Sequence, residues 1–297
     1  MPLPAEYRIE AARVRRSFDK AAAGYDASAV LQREVARRMA ERLDLVKLAP
    51  TRVLDVGCGT GADLRLLARR YPAAQRLGLD FSHAMLQNTR GRASWLARLL
   101  PPLAAREASA VCADAQHLPL AADRMGLVWS NFMLHWLDDP LPALKEMHRV
   151  LQVDGLLMFA TLGPDTLKEL RAVFAATDDA PHVQRFIDMH DLGDMLVASG
   201  YTDPVMDMEY LTLTYAGPEE FLRDLRAAGS INALSGRNRG LMGRLAWQRL
   251  REALAAKMRD GRLSISFEIV YGHAWKAQPR VAADGRQIIR FDTSGKP

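Results

Sequence analysis

The chain has 297 residues, 49% of them hydrophobic, with a formal net charge of +5 at pH 7 and a sequence pI of about 9.3. That is enough for one large α/β domain with an elaboration, and no window offers the ~18 uninterrupted apolar residues of a membrane span. Two cysteines, Cys58 and Cys112, stand far apart without a CxxC spacing. This excludes a disulfide scaffold or zinc module and suits a reducing, cytoplasmic compartment.

Residues 1–10 contain no apolar h-region, so no secretory signal is expected. The basic balance suits an acidic partner. A nucleic acid is not expected, because there is no finger, RNP-like motif or concentrated Lys/Arg run.

Residues 5–47 read as helical, with Val30, Leu31, Val35, Met39 and Leu43 at three- and four-residue steps. Gly24 is the expected stop within that stretch. A first strand over 52–56 runs into Gly57-Cys58-Gly59-Thr60-Gly61, and a helix follows through Leu64, Leu66 and Leu67. A second strand, 76–79, ends at Asp80, and the next helix begins near Ser82, whose hydroxyl is a suitable N-cap. Residues 91–107, with Pro101-Pro102, read as a loop with helical ends.

Strands over 110–113 and 127–130, a helix over 141–151 and an almost wholly apolar strand over 155–161 follow. The alternation predicts a doubly wound, Rossmann-like α/β sheet. Beyond it the pattern gives helices over 164–176 and 188–199 and strands over 206–215 and 264–275. Between the last two strands lies a helical insertion, 218–261. The expected organisation is an N-terminal helical segment (1–48), a core (49–216 and 263–277), a lid (217–262) and a polar, mobile tail (278–297).

Chemistry concentrates at the first strand–helix junction. Glycines there let the backbone turn sharply and approach a ligand. Gly57, Gly59 and Ala62 also fit a loose dinucleotide fingerprint, so the glycines alone decide little. Three further features favour another ligand. Asp55 stands two residues before the first glycine, Gly61 adds a third glycine, and Asp80 and Asp114 end the next two strands.

This spacing resembles the class I S-adenosylmethionine (SAM) methyltransferases over residues 50–160. The resemblance implies SAM as cofactor, with no metal. It implies that Asp55, Gly57, Cys58, Gly59 and Gly61 surround the methionine part, and that Asp80 accepts from the ribose hydroxyls. Asp114 and Ala115 would face the adenine, and Asn131 would sit beside the transferable methyl.

A narrower resemblance runs from about residue 10 to 277. It is carried by Phe18, Ala21, Ala22, Tyr25 and Asp26, by Asn131 to Trp136, by the segment 181–186 and by 268–276. These are similar to the malonyl-acyl-carrier protein O-methyltransferases of biotin synthesis. The implied reaction is methyl esterification of a malonyl carboxylate on acyl-carrier protein or coenzyme A.

Tyr25 and Arg185 are the residues expected to serve the chemistry. Tyr25 would close the pocket, and Arg185 or a lid arginine would meet the carboxylate. The lid residues Arg223, Arg226, Arg237 and Arg239 would dock the acidic carrier protein. His135 and His182 read first as structural. The C-terminal pattern is also similar to a methyltransferase-fold complex I assembly protein that hydroxylates an arginine. Quinone and other small-molecule methyltransferases share the core motifs.

Overall fold

The structure is a computed structural model that describes residues 4–91, 108–178, 180–240 and 242–278. The expected loop over 91–107 and the expected tail after 278 lie almost wholly outside them.

Seven strands form one sheet: β1 (Arg52–Val56), β2 (Gln75–Asp80), β3 (Ser109–Cys112), β4 (Met125–Asn131), β5 (Leu151–Leu162), β6 (Thr202–Tyr215) and β7 (Leu263–Trp275). Their order is β3-β2-β1-β4-β5-β7-β6. The pairs from β3 through β5 are parallel, and β7 enters antiparallel between β5 and β6, setting Ala160 opposite Tyr271. Strand order reverses at β1 and β4, where open α/β sheets bind their ligands.

Side chains alternate across the sheet, so both faces are cored. Val53, Leu127, Trp129, Met158 and Ile269 face one layer, and Leu54, Val56, Val128, Phe159 and Val270 the other.

The N-terminal stretch divides into α1 (Ala11–Ala21), a single turn α2 (Tyr25–Ser28) and α3 (Val30–Arg42), with Gly24, the expected stop, at the break. Helices α4 (Ala62–Arg70) and α5 (His83–Gly91) follow β1 and β2. Ser82 caps the latter, accepting from Met85 N at 3.2 Å. After β4 come α6 (Leu141–Val150), α7 (Lys168–Ala175) and α8 (Met189–Ala198), the last capped by Asp188, which accepts from His190 N.

Helix α7 starts four residues later than its pattern predicts. Leu167 takes φ 58°, and the turn before the helix gives its N–H groups to β7: Gly163 N to Glu268 O and Leu167 N to Ser266 O, both 2.9 Å. Tertiary pairing here overrides local propensity. The insertion is likewise only partly helical. It holds α9 (Pro218–Ala227) and α10 (Arg244–Ala255), with an irregular stretch over 228–240 that contains Gly229, Gly236 and Gly240.

That stretch clasps the N-terminal segment. Glu10 N donates to Ala233 O (2.8 Å), Ser235 N to Arg8 O (2.8 Å) and Gly236 N to Glu6 O (2.9 Å). Arg13 Nε and Ser17 Oγ donate to Asn232 O and Gly229 O, each at 2.9 Å. The clasp lies on the side where β1 and β4 open.

Candidate active site

The glycine loop follows from backbone geometry. Gly57 and Gly59 take φ 81° and 52°, in the left-handed region that penalises side chains. A Cβ on Gly57 would stand 2.5 Å from Met133 Cβ, whereas nothing lies within 4 Å of the corresponding position at Gly59, which borders open cavity. Gly57 N and Cys58 N both donate to Leu79 O, at 2.7 and 3.0 Å. Gly59 N donates to Asp80 Oδ2 (2.9 Å) and Ser82 N to Asp80 Oδ1 (2.8 Å). Asp80 therefore ties the loop to the end of β2. Burial pushes its carboxyl pKa up, and the two N–H groups pull it partly back.

The N-terminal segment folds over this loop. Thr60 Oγ1 donates to Asp26, Ser82 Oγ to Asp19 (2.6 Å) and Asn88 Nδ2 to Ala22 O (2.7 Å).

Three neighbouring cavities result. The largest, 480 Å³, is lined by Gly57, Gly59, Asp80, Phe81, Asp114, Ala115, Asn131 and Trp136, with Ala11, Ala12 and Arg15 of α1 above. The second, 360 Å³, is bounded by Asp55, Cys58, Gly59, Asp63, Gln32 and Asn131. The third, 60 Å³, lies between Ser28, Gln32, Phe132, His135, Trp136, Ser230 and Phe267. Tyr25 lines all three. Burial first, and then Asp63, Asp80 and Asp26, push its phenol pKa up, so it remains a proton donor. Phe18 packs edge-on against Tyr25, Phe81 and Trp136, at 6.2, 6.3 and 5.4 Å between centroids.

The second cavity carries unpaired buried acceptors. Asp55 is 1% exposed and its Oδ2 has no partner; Asn131 Oδ1 is likewise buried without one. Burial, then Asp63 and Asp80, raises the Asp55 pKa well above the carboxylate range. Acceptors left dry in this way call for a cationic or N–H-bearing ligand.

Asp114 lies on the wall of the large cavity, and its Oδ1 accepts from Gln116 N at 2.8 Å. Arg185 is held elsewhere. Its guanidinium lies 4.0 Å over the Tyr7 ring, in a separate cavity with Arg171 and His182, and it lines none of the three around Tyr25. Its neighbour Phe186 reaches the His135 ring, 6.0 Å between centroids. His135 faces the small cavity, and burial pushes its pKa down to about 3, so the ring is neutral. His182 stacks on Phe174 and binds Asp178 at 2.7 Å.

Sequence reading missed Asp63, Gln32 and Phe18 as site residues. For Asp63 the available signal was a buried indole, Trp129, in need of an acceptor. Among the described residues no group of three His, Cys, Asp or Glu could hold a metal ion.

The large cavity carries the side chains of Asp80 and Asp114 on its wall, and Asp55 and Asn131, whose buried oxygens lack partners, line the cavity beside it. Together with the β7 inversion, this defines the class: a SAM-dependent methyltransferase of the Rossmann-like type. The methyltransferase domain family matches residues 54–159. The fold is similar to the YcgJ protein of Bacillus subtilis (TM-score 0.56, 15% identity, 81% of this chain and 98% of that one). It is equally similar to a putative methyltransferase of Bacillus halodurans (TM-score 0.56, 17% identity, 81% and 99%).

The chain belongs to the malonyl-acyl-carrier protein O-methyltransferase family. It is 53% identical over 285 residues to the enzyme so named from Gallionella capsiferriformans and 55% identical over 288 residues to that from Laribacter hongkongensis. Each match spans 96% of this chain and 97% of the relative. The arginine-hydroxylating and quinone-methylating alternatives are not favoured by these relatives.

Proposed function

We propose that this protein methylates the free carboxylate of a malonyl thioester on acyl-carrier protein, giving the methyl ester for biotin synthesis. The observation that carries the reading is Tyr25, shared by a nucleoside cavity, an acidic amino-acid cavity and a small acceptor cavity. Bound SAM supplies an electrophilic methyl group on a sulfonium.

A malonate carboxylate is ionised at neutral pH and needs no general base. Tyr25 keeps its proton and donates to the carboxylate oxygen that does not attack. The rings of Phe18, Phe132 and Trp136 keep water from the line of transfer. No Lys or Arg lines the acceptor cavity among the described residues, His135 is neutral, and the carboxylate on its wall, Asp224, accepts from Tyr215 Oη at 3.1 Å. This suits a reaction that cancels two charges, because a tight ion pair would stabilise substrate more than transition state.

Arg185, held over the Tyr7 ring in a separate cavity, steers the incoming anion from outside the acceptor cavity. Asp80 receives the ribose hydroxyls, Asp114 and Ala115 the adenine, and Asp55, the glycine loop and Asn131 the methionine end. The exposed cations Arg223 and Arg226 dock the acidic carrier protein on the lid, and Arg239, exposed but 3.3 Å from Glu10, adjoins the clasp. Arg237 serves the clasp instead, because it is mostly buried and paired with Glu10 at 2.7 Å. The free thiols Cys58 and Cys112 suit the cytoplasm.

The test is S-adenosylhomocysteine release with malonyl- and acetyl-carrier protein side by side. Turnover is expected with the malonyl form only. No turnover with malonyl, or equal turnover with acetyl, which lacks a free carboxylate, contradicts the reading.

A further inference from the structure

We infer that Asp63 is a positioning residue that fixes Asn131 as a hydrogen-bond acceptor toward the cationic amino-acid end of SAM. Asp63 occupies the first turn of α4, just beyond the glycine loop. Its Oδ2 accepts from Trp129 Nε1 at 2.8 Å and from Asn131 Nδ2 at 3.0 Å. Asn131 Nδ2 also donates to Gln32 O at 3.0 Å. Both amide hydrogens are thereby used.

An amide flip would set Asn131 Oδ1 against a carboxylate oxygen and a carbonyl oxygen, two acceptor–acceptor contacts. The hydrogen-bond network therefore decides the orientation. Oδ1 is left facing away from Asp63, buried and without a protein partner. Asn131 lines both the nucleoside cavity and the amino-acid cavity, and Asp55, whose Oδ2 is the other buried oxygen without a partner, lines the second. Two unpartnered acceptors on residues of one cavity suit an ammonium group, which has three N–H donors and no lone pair.

Asp63 acts through this geometry more than through its charge. Trp129 is fully buried in β4, two residues before Asn131, so its indole locks the carboxylate from one side while Asn131 uses the same oxygen from the other. A neutral acceptor at position 63 preserves the arrangement. Loss of the acceptor frees the Asn131 amide to rotate and present N–H groups to a cation.

The test is calorimetric binding of SAM and of 5′-methylthioadenosine, which keeps the nucleoside and thioether but lacks the amino-acid end. Asp63→Ala is expected to weaken SAM by about tenfold or more while moving methylthioadenosine by less than about twofold. Asp63→Asn is expected to stay within about threefold for both ligands, which is rescue by the isosteric acceptor. Asn131→Ala should match Asp63→Ala, and the double variant should be no worse than either single one. If Asp63→Ala does not fold, judged by circular dichroism, Asp63→Ser takes its place with the same expectation. The inference is overturned if methylthioadenosine is lost in parallel with SAM, if Asp63→Asn is as damaging as alanine, or if the two single effects add. Failure of the unaltered protein to bind SAM at all would overturn the cofactor assignment instead.

Discussion

Asp80 joins local structure to ligand binding in a single side chain. It holds Gly59 N and Ser82 N, and it lines the cavity where the ribose would lie. Removing charge-assisted hydrogen bonds of this kind costs about 1.5–3 kcal/mol. Asp80→Ala should therefore weaken SAM by about ten- to a hundredfold in calorimetry. Unchanged affinity would remove Asp80 from the site.

His135 gives a pH prediction. Its folded pKa of about 3 lies below its unfolded value, because burial disfavours the imidazolium. Below about pH 6.5 the unfolded chain takes up a proton that the folded chain refuses. Stability from this residue is thus fully present above that pH and is lost as pH falls toward 3. His135→Phe should flatten that part of the stability–pH curve in chemical denaturation, and an unchanged slope would show that His135 titrates freely.

The residues at strand ends, Asp55, Asp80 and Asp114, were legible because a strand pattern followed by an acid marks a defined place in an α/β sheet. Asp63 was not. An acid in a helix's first turn reads as a favourable dipole contact, and Trp129, which gives it meaning, is 66 positions away.

At the scale of elements, the N-terminal segment and the insertion act together. Their backbone pairing and the Glu10–Arg237 bridge hold the insertion against the segment that carries Phe18 and Tyr25. Gly229, at φ 73°, admits the Phe18 ring where a Cβ would stand 2.9 Å from it. Charge reversal at Arg223 and Arg226 should raise KM for malonyl-carrier protein at low salt, with the effect shrinking as salt rises and screening removes the steering. Kinetics with a small malonyl thioester should barely change. An unchanged KM for the carrier protein at low salt would contradict docking on this face. The insertion's helical character was readable, whereas the burial of Leu250 and Leu254 in α10 and the irregular stretch over 228–240 were not. The clasp was not readable, since its backbone and side-chain bonds join segments more than two hundred residues apart.

For the whole molecule, sheet and site are one construction. Parallel strands β1, β2 and β4 deliver Asp55, Asp80 and Asn131 to the same edge, and the antiparallel β7 completes the sheet from the far end of the chain. The alternating strands and helices made the parallel half predictable. The place of β7 between β5 and β6 rests on long-range pairing that no local pattern encodes.

The central claim is that the methyl arrives on the malonyl carboxylate. The direct measurement is fragment mass spectrometry of malonyl-carrier protein after reaction with methyl-deuterated SAM. One deuterated methyl per malonyl group is expected, located on the terminal carboxylate as an ester. Label on carbon, on the carrier protein itself, or absent from both would contradict it.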